Sequence, residues 1–328
     1  MHSVVLPEAA DARSCGYPQA YRDLTGPNTW SPVRHDAPQR LFAYASRTRD
    51  HQFLESAVCP KHSLAVFLIV LATIAPSMRS APALAAAPSE NDAERIAELV
   101  LANHILADQH IVDGFGHVSV RSAKNPNHYF ISRSQAPALV TAADIMEYDL
   151  DDHPIDARGR SSYLERFIHS EIYKARPDVQ AVVHSHSLAV IPFSVSRVPL
   201  RPVSHMAGFL IRAVPVFEIR NAEGPGSDML IRNAALGAAV AKELGSGTVV
   251  LLRGHGDVVV GQSVKTAVMH AIYTDIDARL ESDALRLGGE VTFLNEVEAA
   301  KVAKSNDEQV DRPWGIWKSE ALAHELRP

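Results

Sequence analysis

Three histidines and one glutamate have the residue types and local spacing of a catalytic metal site. His184 and His186 flank a serine directly after the mostly apolar run 179–183. Alternate side chains of a strand share one face, so both imidazoles can reach one point at the end of this strand. His255 lies between two glycines after another apolar run, and Glu165 lies in a helix-like segment. Three imidazoles and a carboxylate, with room left for water or substrate, are typical of a catalytic rather than a structural divalent-ion site.

Each of these features also has an ordinary structural explanation. An isolated His-x-His is more often a pair of surface or core-edge imidazoles than a ligand pair. A histidine between glycines also suits a plain strand-to-turn transition, and a lone helix glutamate is usually solvated. The combination of all three features is what indicates a metal site.

A fixed order of motifs extends from about Ala93 to Lys304. These motifs are an opening helix, Gly116-His117-Val118-Ser119-Val120, Tyr129-Phe130-Ile131-Ser132-Arg133-Ser134, the helix with Glu165, the His-Ser-His strand and Gly254-His255-Gly256. In residue types and order, this stretch resembles the class II aldolase/adducin family. The resemblance implies that His184, His186 and His255 bind a divalent ion, zinc or manganese, and that Glu165 is a fourth ligand or the general acid/base beside the ion.

The chain departs from the sugar-phosphate enzymes of that family where they hold phosphate. Their Gly-Asn pair is replaced by Gly-His at His117, and their Thr-Pro-Ser-Gly-like turn by Ser132, Arg133 and Ser134. A guanidinium suits a planar carboxylate, which Arg133 can hold in a bidentate fork. These departures resemble the decarboxylase branch, which acts on hydroxylated aromatic or pyridine carboxylates. The structural alternatives are a surface ion pair for Arg133 and an ordinary loop position for His117.

The resulting hypothesis is a metal-dependent carbon–carbon lyase that decarboxylates a hydroxylated aromatic or heteroaromatic acid, a small-molecule carboxylate. Glu165 or His169 would supply the proton that replaces CO₂. Three alternatives stay open: an aldolase for a short hydroxy-aldehyde or hydroxy-keto acid, an iron-dependent oxidative decarboxylase, and a non-catalytic scaffold like the adducin head domains.

The periodicity of apolar residues predicts alternating strands and helices. The predicted strands are 118–121, 129–133, 146–150, 179–184, 214–219, 249–252 and 258–260. The predicted helices are 90–110, 163–175, 230–244 and 264–287. Together they favour a three-layer α/β/α sandwich around a mixed, largely antiparallel sheet, the fold that the resemblance also implies. The resemblance further implies a cyclic homotetramer with sites near subunit interfaces, to which His270 or Tyr273 of a neighbour could contribute.

Composition limits the function classes. The net charge of −6 and the absence of a Lys/Arg block argue against a nucleic-acid partner. Residues 88–328 are enough for one catalytic α/β domain.

The first 87 residues differ from this domain. Segment 61–87 has a basic start, an apolar stretch and an Ala-x-Ala tract, typical of a secretory signal and too short for a stable membrane span. Residues 1–60 show no sustained periodicity, so we expect them to be disordered or not genuinely translated. If the signal operates, the enzyme is periplasmic or secreted; otherwise it is cytoplasmic. Both cysteines, Cys15 and Cys59, precede the Ala-x-Ala tract, so the metal of the mature domain would be held by nitrogen and oxygen ligands.

Overall fold

The computed structural model of the protein describes residues 91–325. The predicted extension 1–60 and the signal-like segment 61–87 therefore lie outside the described residues. Within residues 91–325, no helix combines the length and the apolar character needed to cross a membrane.

Seven strands form one sheet. They are β1 (His117–Arg121), β2 (His128–Ser132), β3 (Ile145–Asp149), β4 (Ala181–Ser185), β5 (Val216–Phe217), β6 (Val249–Leu252) and β7 (Gly256–Gly261). The strand order is β3-β2-β1-β4-β7-β6-β5, and every neighbouring pair is antiparallel except β5 with β6. The prediction of a mixed, largely antiparallel sheet is confirmed.

Helices cover both faces of this sheet. They are α1 (Asp92–Asp108), α2 (Phe167–Ala175), α3 (Ile191–Val195), α4 (Arg220–Glu223), α5 (Ala234–Leu244), α6 (Val264–Leu287), α7 (Glu296–Asp307) and α8 (Asp311–Glu325). One buried cluster joins α1, α6 and α8 to the sheet, and a second joins α2 and α5 to it. The predicted three-layer sandwich is therefore confirmed.

The central strand β4 shows why the sheet is covered on both sides. Val183 belongs to the first cluster and its neighbour Val182 to the second, and both are fully buried. Successive side chains of a strand point to opposite faces, so a continuous apolar run requires cover on each face. The mostly apolar run before His184 thus places that histidine at the end of a strand in the middle of the molecule.

Several predicted element boundaries are wrong, and two of the differences affect the site. The helix predicted from residue 163 begins at Phe167, so Glu165 lies in the turn before α2. The helix predicted from residue 230 begins at Ala234, where Asn233 caps it, because residues 229–231 are used for other contacts described below. Strand β5 has only two residues, and helices α3, α4, α7 and α8 were not predicted.

Candidate active site

The four predicted metal ligands meet in space. Glu165, His184, His186 and His255 each offer one ligand atom, and these atoms all lie within 4.8 Å of one another. β4 brings His184 and His186, and the turn between the adjacent strands β6 and β7 brings His255. The sheet therefore assembles three ligands from strand ends, and the turn before α2 adds the fourth.

Main-chain carbonyls fix the outer ring nitrogens of two histidines. Nδ1 of His184 lies 2.9 Å from the carbonyl oxygen of Asp257, and Nδ1 of His255 lies 3.0 Å from that of Met229. A carbonyl oxygen can only accept, so the proton of each neutral imidazole is on Nδ1. Both Nε2 atoms then carry lone pairs that are free for a metal, the usual way in which a ligand histidine is oriented.

The inner nitrogen and oxygen atoms of the four residues lie close to one another. Nε2 of His184 is buried and has no hydrogen-bond partner among the described residues. It lies 3.6 Å from Oε2 of Glu165, and Nε2 of His255 lies 3.5 Å from the same oxygen. Nε2 of His186 is 3.0 Å from Nε2 of His255. Lone pairs and a carboxylate that converge in this way fit a divalent cation.

The electrostatics of the site point the same way. Burial raises the pKa of Glu165, but His184, His255 and the amide of Ile231 lower it by more, to about 2. The carboxylate is therefore ionised. Burial lowers the pKa of His184, whereas Glu165 and Asp257 raise it by more, so the net shift is upward. Burial and the other histidines lower the pKa of His255 to about 4. The ionised Glu165 and the raised pKa of His184 show that the site stabilises positive charge among its inner atoms, which a bound cation would provide.

Main-chain groups of the short segment 229–231 make hydrogen bonds to two of the four ligands. The carbonyl of Met229 accepts from His255, and the amide of Ile231 donates to Oε1 of Glu165 over 2.8 Å. Met229 has φ of 70°, which is uncommon for a residue with a side chain. This role could not be predicted from residue types, because the main chain makes both contacts and any residue can supply them.

A cavity of about 510 Å³ opens beside the four ligands. The residues that line it are Gly114, Phe115, Gly116, His117, Ser134, Gln135, Ala136, Tyr163, Leu164, Glu165, His186 and Leu230. It combines apolar walls with a small number of polar groups, as expected of a small-molecule site. Two of the predicted substrate-binding residues, His117 and Ser134, are among its lining residues.

The other two predicted substrate-binding residues lie apart from the lining. Ser132 is buried, with its hydroxyl 3.0 Å from that of Tyr163. Nε of Arg133 donates to Oδ1 of Asp144 over 2.5 Å, in an ion pair in which the arginine side chain is 35 % exposed. The structure thus gives Arg133 the ion pair that was its structural alternative, and its predicted contact with a substrate carboxylate stays a prediction.

His169 is fully buried behind His117. Its Nε2 lies 2.7 Å from Nδ1 of His117, and its Nδ1 lies 2.6 Å from the hydroxyl of Ser119. Burial and the electrostatic interaction with His184 lower the pKa of His169 to about 3, although Glu165 opposes this shift. Since His169 is not among the residues that line the cavity, it can act on a bound molecule only through His117.

The two late-chain residues considered for a neighbour's site have partners in their own chain. His270 is buried, stacks on Phe209 and lies 3.0 Å from Asp307, while Tyr273 packs against Trp317. Their predicted contribution across a subunit interface stays a prediction.

Comparison with known proteins agrees with the architecture. The family described as "Class II Aldolase and Adducin N-terminal domain" matches residues 97–281, more than half of the chain. The chain is 37% identical to decarboxylase tropJ of Talaromyces stipitatus over 239 residues, which are 66% of this chain and 90% of that protein. It is 32% identical to a 3,4-dihydroxyphthalate decarboxylase of Arthrobacter keyseri over 62% of this chain and 84% of that protein.

A solved structure shows the same likeness. The L-fuculose 1-phosphate aldolase of Glaciozyma antarctica superposes with a TM-score of 0.59 at 25% identity, over 72% of this chain and 94% of that chain. Decarboxylases and an aldolase are thus both similar to the chain over most of their own length. The chain belongs to the class II aldolase/adducin family and is an enzyme of its lyase type.

Proposed function

We propose that the protein is a divalent-metal-dependent decarboxylase of a hydroxylated aromatic or heteroaromatic carboxylic acid. The observation that carries this proposal is the convergence of Glu165, His184, His186 and His255 beside a cavity of about 510 Å³. Two relatives are named as decarboxylases, and one of them acts on 3,4-dihydroxyphthalate by its name. 3,4-Dihydroxyphthalate is a hydroxylated aromatic carboxylate, which is the substrate class predicted from the sequence.

His184, His186 and His255 would hold the ion, with Glu165 as the fourth ligand or as the general acid/base beside it. When bound, a divalent metal supplies Lewis-acid stabilisation for the electron pair that remains as the carbon–carbon bond breaks. The donor set is nitrogen and oxygen, which is compatible with zinc or manganese, and with iron. The chain's own residues bind the substrate, orient it and move its proton.

The lining of the cavity suits an aromatic acid. Phe115, Leu164 and Leu230 offer apolar contact for a ring, and His117 and Ser134 offer polar contact for its oxygen substituents. Such a division between apolar walls and few polar groups orients a flat substrate with its oxygens toward the four ligands. Arg133 is a further candidate for a carboxylate, provided that it leaves Asp144.

Loss of CO₂ requires a proton at the carbon that carried it, so the net reaction consumes one proton. Glu165 is the better candidate for this transfer, because it lines the cavity and is ionised. It can take the proton of the substrate hydroxyl and return it to the ring carbon. His169 is fully buried and would act only through His117.

The test uses the full-length chain. It is stripped with a chelator, reloaded separately with zinc, manganese or iron(II), and supplied with 3,4-dihydroxyphthalate and a panel of hydroxybenzoates. We expect about one ion per chain and CO₂ release that the chelator abolishes and the metal restores. Metal binding without CO₂ release from any of the panel would contradict the decarboxylase proposal, and lack of metal binding would remove the role of the four ligands.

Aldol cleavage of a short hydroxy-aldehyde or hydroxy-keto acid is the second candidate. The likeness to L-fuculose 1-phosphate aldolase favours it, because loss of CO₂ and retro-aldol cleavage leave similar electron pairs for one site to stabilise. Release of an aldehyde in place of CO₂ would select it. Strict dependence on oxygen would instead select an iron-dependent oxidative decarboxylase.

We also propose a homotetramer with sites near subunit interfaces, and export if segment 61–87 operates as a signal. Native mass spectrometry of the purified chain tests the first proposal. Sequencing the N-terminus of the protein recovered from the periplasm and from the cytoplasm tests the second.

A further inference from the structure

A chain of hydrogen bonds passes from the cavity into the core. It joins Nδ1 of His117 to Nε2 of His169 (2.7 Å), Nδ1 of His169 to the hydroxyl of Ser119 (2.6 Å), and that hydroxyl to the phenol of Tyr173 (2.8 Å). His169 and Ser119 are fully buried, and Tyr173 is 1 % exposed. We call these four residues the relay. Only its first member, His117, lines the cavity.

The buried end of the relay sets its direction. The phenol of Tyr173 has two acceptors, Ser119 at 2.8 Å and the carbonyl oxygen of Gln180 at 3.5 Å. The distance to Gln180 is at the limit of a hydrogen bond, which favours the phenol as the donor to Ser119. The hydroxyl of Ser119 has one proton, which it then donates in a hydrogen bond to Nδ1 of His169.

The same direction continues through the two rings. Burial keeps His169 neutral, so a ring that accepts at Nδ1 must have its one proton on Nε2. That proton points to Nδ1 of His117, which therefore accepts it. The remaining nitrogen of His117, Nε2, then carries a proton and is left for whatever occupies the cavity.

We propose that Ser119, His169 and Tyr173 are positioning residues that hold His117 as a hydrogen-bond donor, through Nε2, to an oxygen acceptor of the substrate. This inference rests on the proposed function for the identity of the acceptor, a carboxylate or phenolate oxygen. The donor role of His117 further implies that the cavity prefers a substrate with a hydrogen-bond acceptor beside Nε2 of His117 over one with an amino group there. The three residues behind His117 are suited to this task because they are buried, so solvent does not compete for their protons.

Nitrogen NMR of the histidine rings tests the direction without any substrate. Full-length protein labelled with ¹⁵N-histidine and loaded with zinc gives a separate signal for each ring nitrogen, and loss of signals in His117→Gln assigns that ring. We expect the proton on Nε2 in both His117 and His169. A proton on Nδ1 of His117 would overturn the proposal.

Ser119→Ala tests whether the relay maintains this state. Without the hydroxyl, Nδ1 of His169 has no hydrogen-bond donor, so both rings should populate two tautomers. The matched control is Ser170→Ala, since Ser170 is also fully buried with a hydrogen bond of 2.6 Å, but to Asp152. The control should retain the single tautomer of His117, and a single unchanged tautomer in Ser119→Ala would count against the relay.

Kinetics on 3,4-dihydroxyphthalate extend the test to function. Ser119→Ala should lower kcat/KM by about 2- to 10-fold with unchanged zinc content, because only the fraction of molecules with the donor tautomer of His117 stays competent. His117→Gln places an amide N–H near the position of Nε2, so it should retain more activity than His117→Asn. The reverse order would overturn the donor role. The expected NMR result without CO₂ release from any tested acid would uphold the relay and refute the proposed function.

Discussion

The site contains two groups of histidines that lie side by side and differ in what their outer nitrogens contact. In His184 and His255, the outer nitrogen faces a main-chain carbonyl, which can only accept. In His169, the outer nitrogen faces the hydroxyl of Ser119, which can donate. The first arrangement places the proton of each ring on its outer nitrogen and leaves a lone pair on its inner nitrogen. In the second arrangement, every contact contains a donor proton and an acceptor.

This difference decides what each group can do. The inward lone pairs of His184 and His255 converge with the ionised carboxylate of Glu165, so the group has an excess of acceptors and fits a cation. The pair of His117 and His169 is satisfied by its own protons and needs no ion. Ring proximity alone does not distinguish the two, since the closest nitrogens are 3.0 Å apart in the first group and 2.7 Å in the second.

The largest effect should come from removing a ligand of the first group. His186→Ala should lower metal affinity by more than the 10- to 100-fold that is typical of outer-shell partners, and CO₂ release should fall to background. Elemental analysis and chelator competition measure this. His153→Ala is the control, because the side chain of His153 is 77 % exposed and lies outside the four ligands. Equal metal content in both variants would show that the first group is not a metal site.

Glu165→Gln should have the next largest effect. The amide keeps an oxygen for the N–H of Ile231, so the fold should persist, but the charge that balances the cation is lost. We expect turnover to fall by about 10²- to 10⁴-fold, the usual contribution of a general acid/base. Activity assays with circular dichroism as a fold check measure this. Full activity in a folded variant would remove Glu165 from the mechanism.

Much of the arrangement of the two groups can be predicted from the sequence, because the periodicity of strands and helices determines which side chains share a face. His184 lies in β4 and His186 directly follows its last residue, while His117 and Ser119 both lie in β1, so the two-residue spacing places each pair on one side. His169 and Tyr173 are four apart and share one side of α2. The residue pairs of both groups can therefore be predicted from local spacing. Local spacing does not determine that His169 lies behind His117, because this depends on how α2 packs on β1.

Contacts between distant segments account for what the sequence does not predict. The amide of Ile231 and the carboxylate of Glu165 are 66 positions apart, and a main-chain group carries no residue signature. Arg133 has the residue type for a substrate carboxylate, but Asp144 lies within reach once β2 and β3 pair. A charge pattern along the chain does not indicate whether a partner in the fold or a ligand will neutralise an arginine.

A change in the second group should reduce activity without loss of metal. His169→Leu has similar volume and removes both nitrogens from the core, so His117 loses its partner while the four ligands stay in place. We expect kcat/KM to fall by about 10- to 100-fold with the metal content of the wild type. Parallel kinetics and elemental analysis measure this. If His169→Leu lost metal as His186→Ala does, the distinction between the two groups would fail.

The smallest effect concerns the carbonyl that orients His255. Met229 adopts φ of 70°, which costs a residue with a side chain about 1–2 kcal/mol relative to glycine. Met229→Gly and Met229→Ala both remove the side chain and keep the carbonyl. The metal affinity of both variants should therefore stay within about 10-fold of the wild type, a smaller change than loss of an outer-shell partner causes. The two variants differ in backbone strain at position 229. The free energy of unfolding, measured with denaturant, should be about 0.5–1 kcal/mol higher for the glycine variant, whereas alanine is the more stabilising residue at most positions. If alanine were the more stable, the left-handed backbone at position 229 would not be present in solution, and the carbonyl contact that places the proton on Nδ1 of His255 would lose its support.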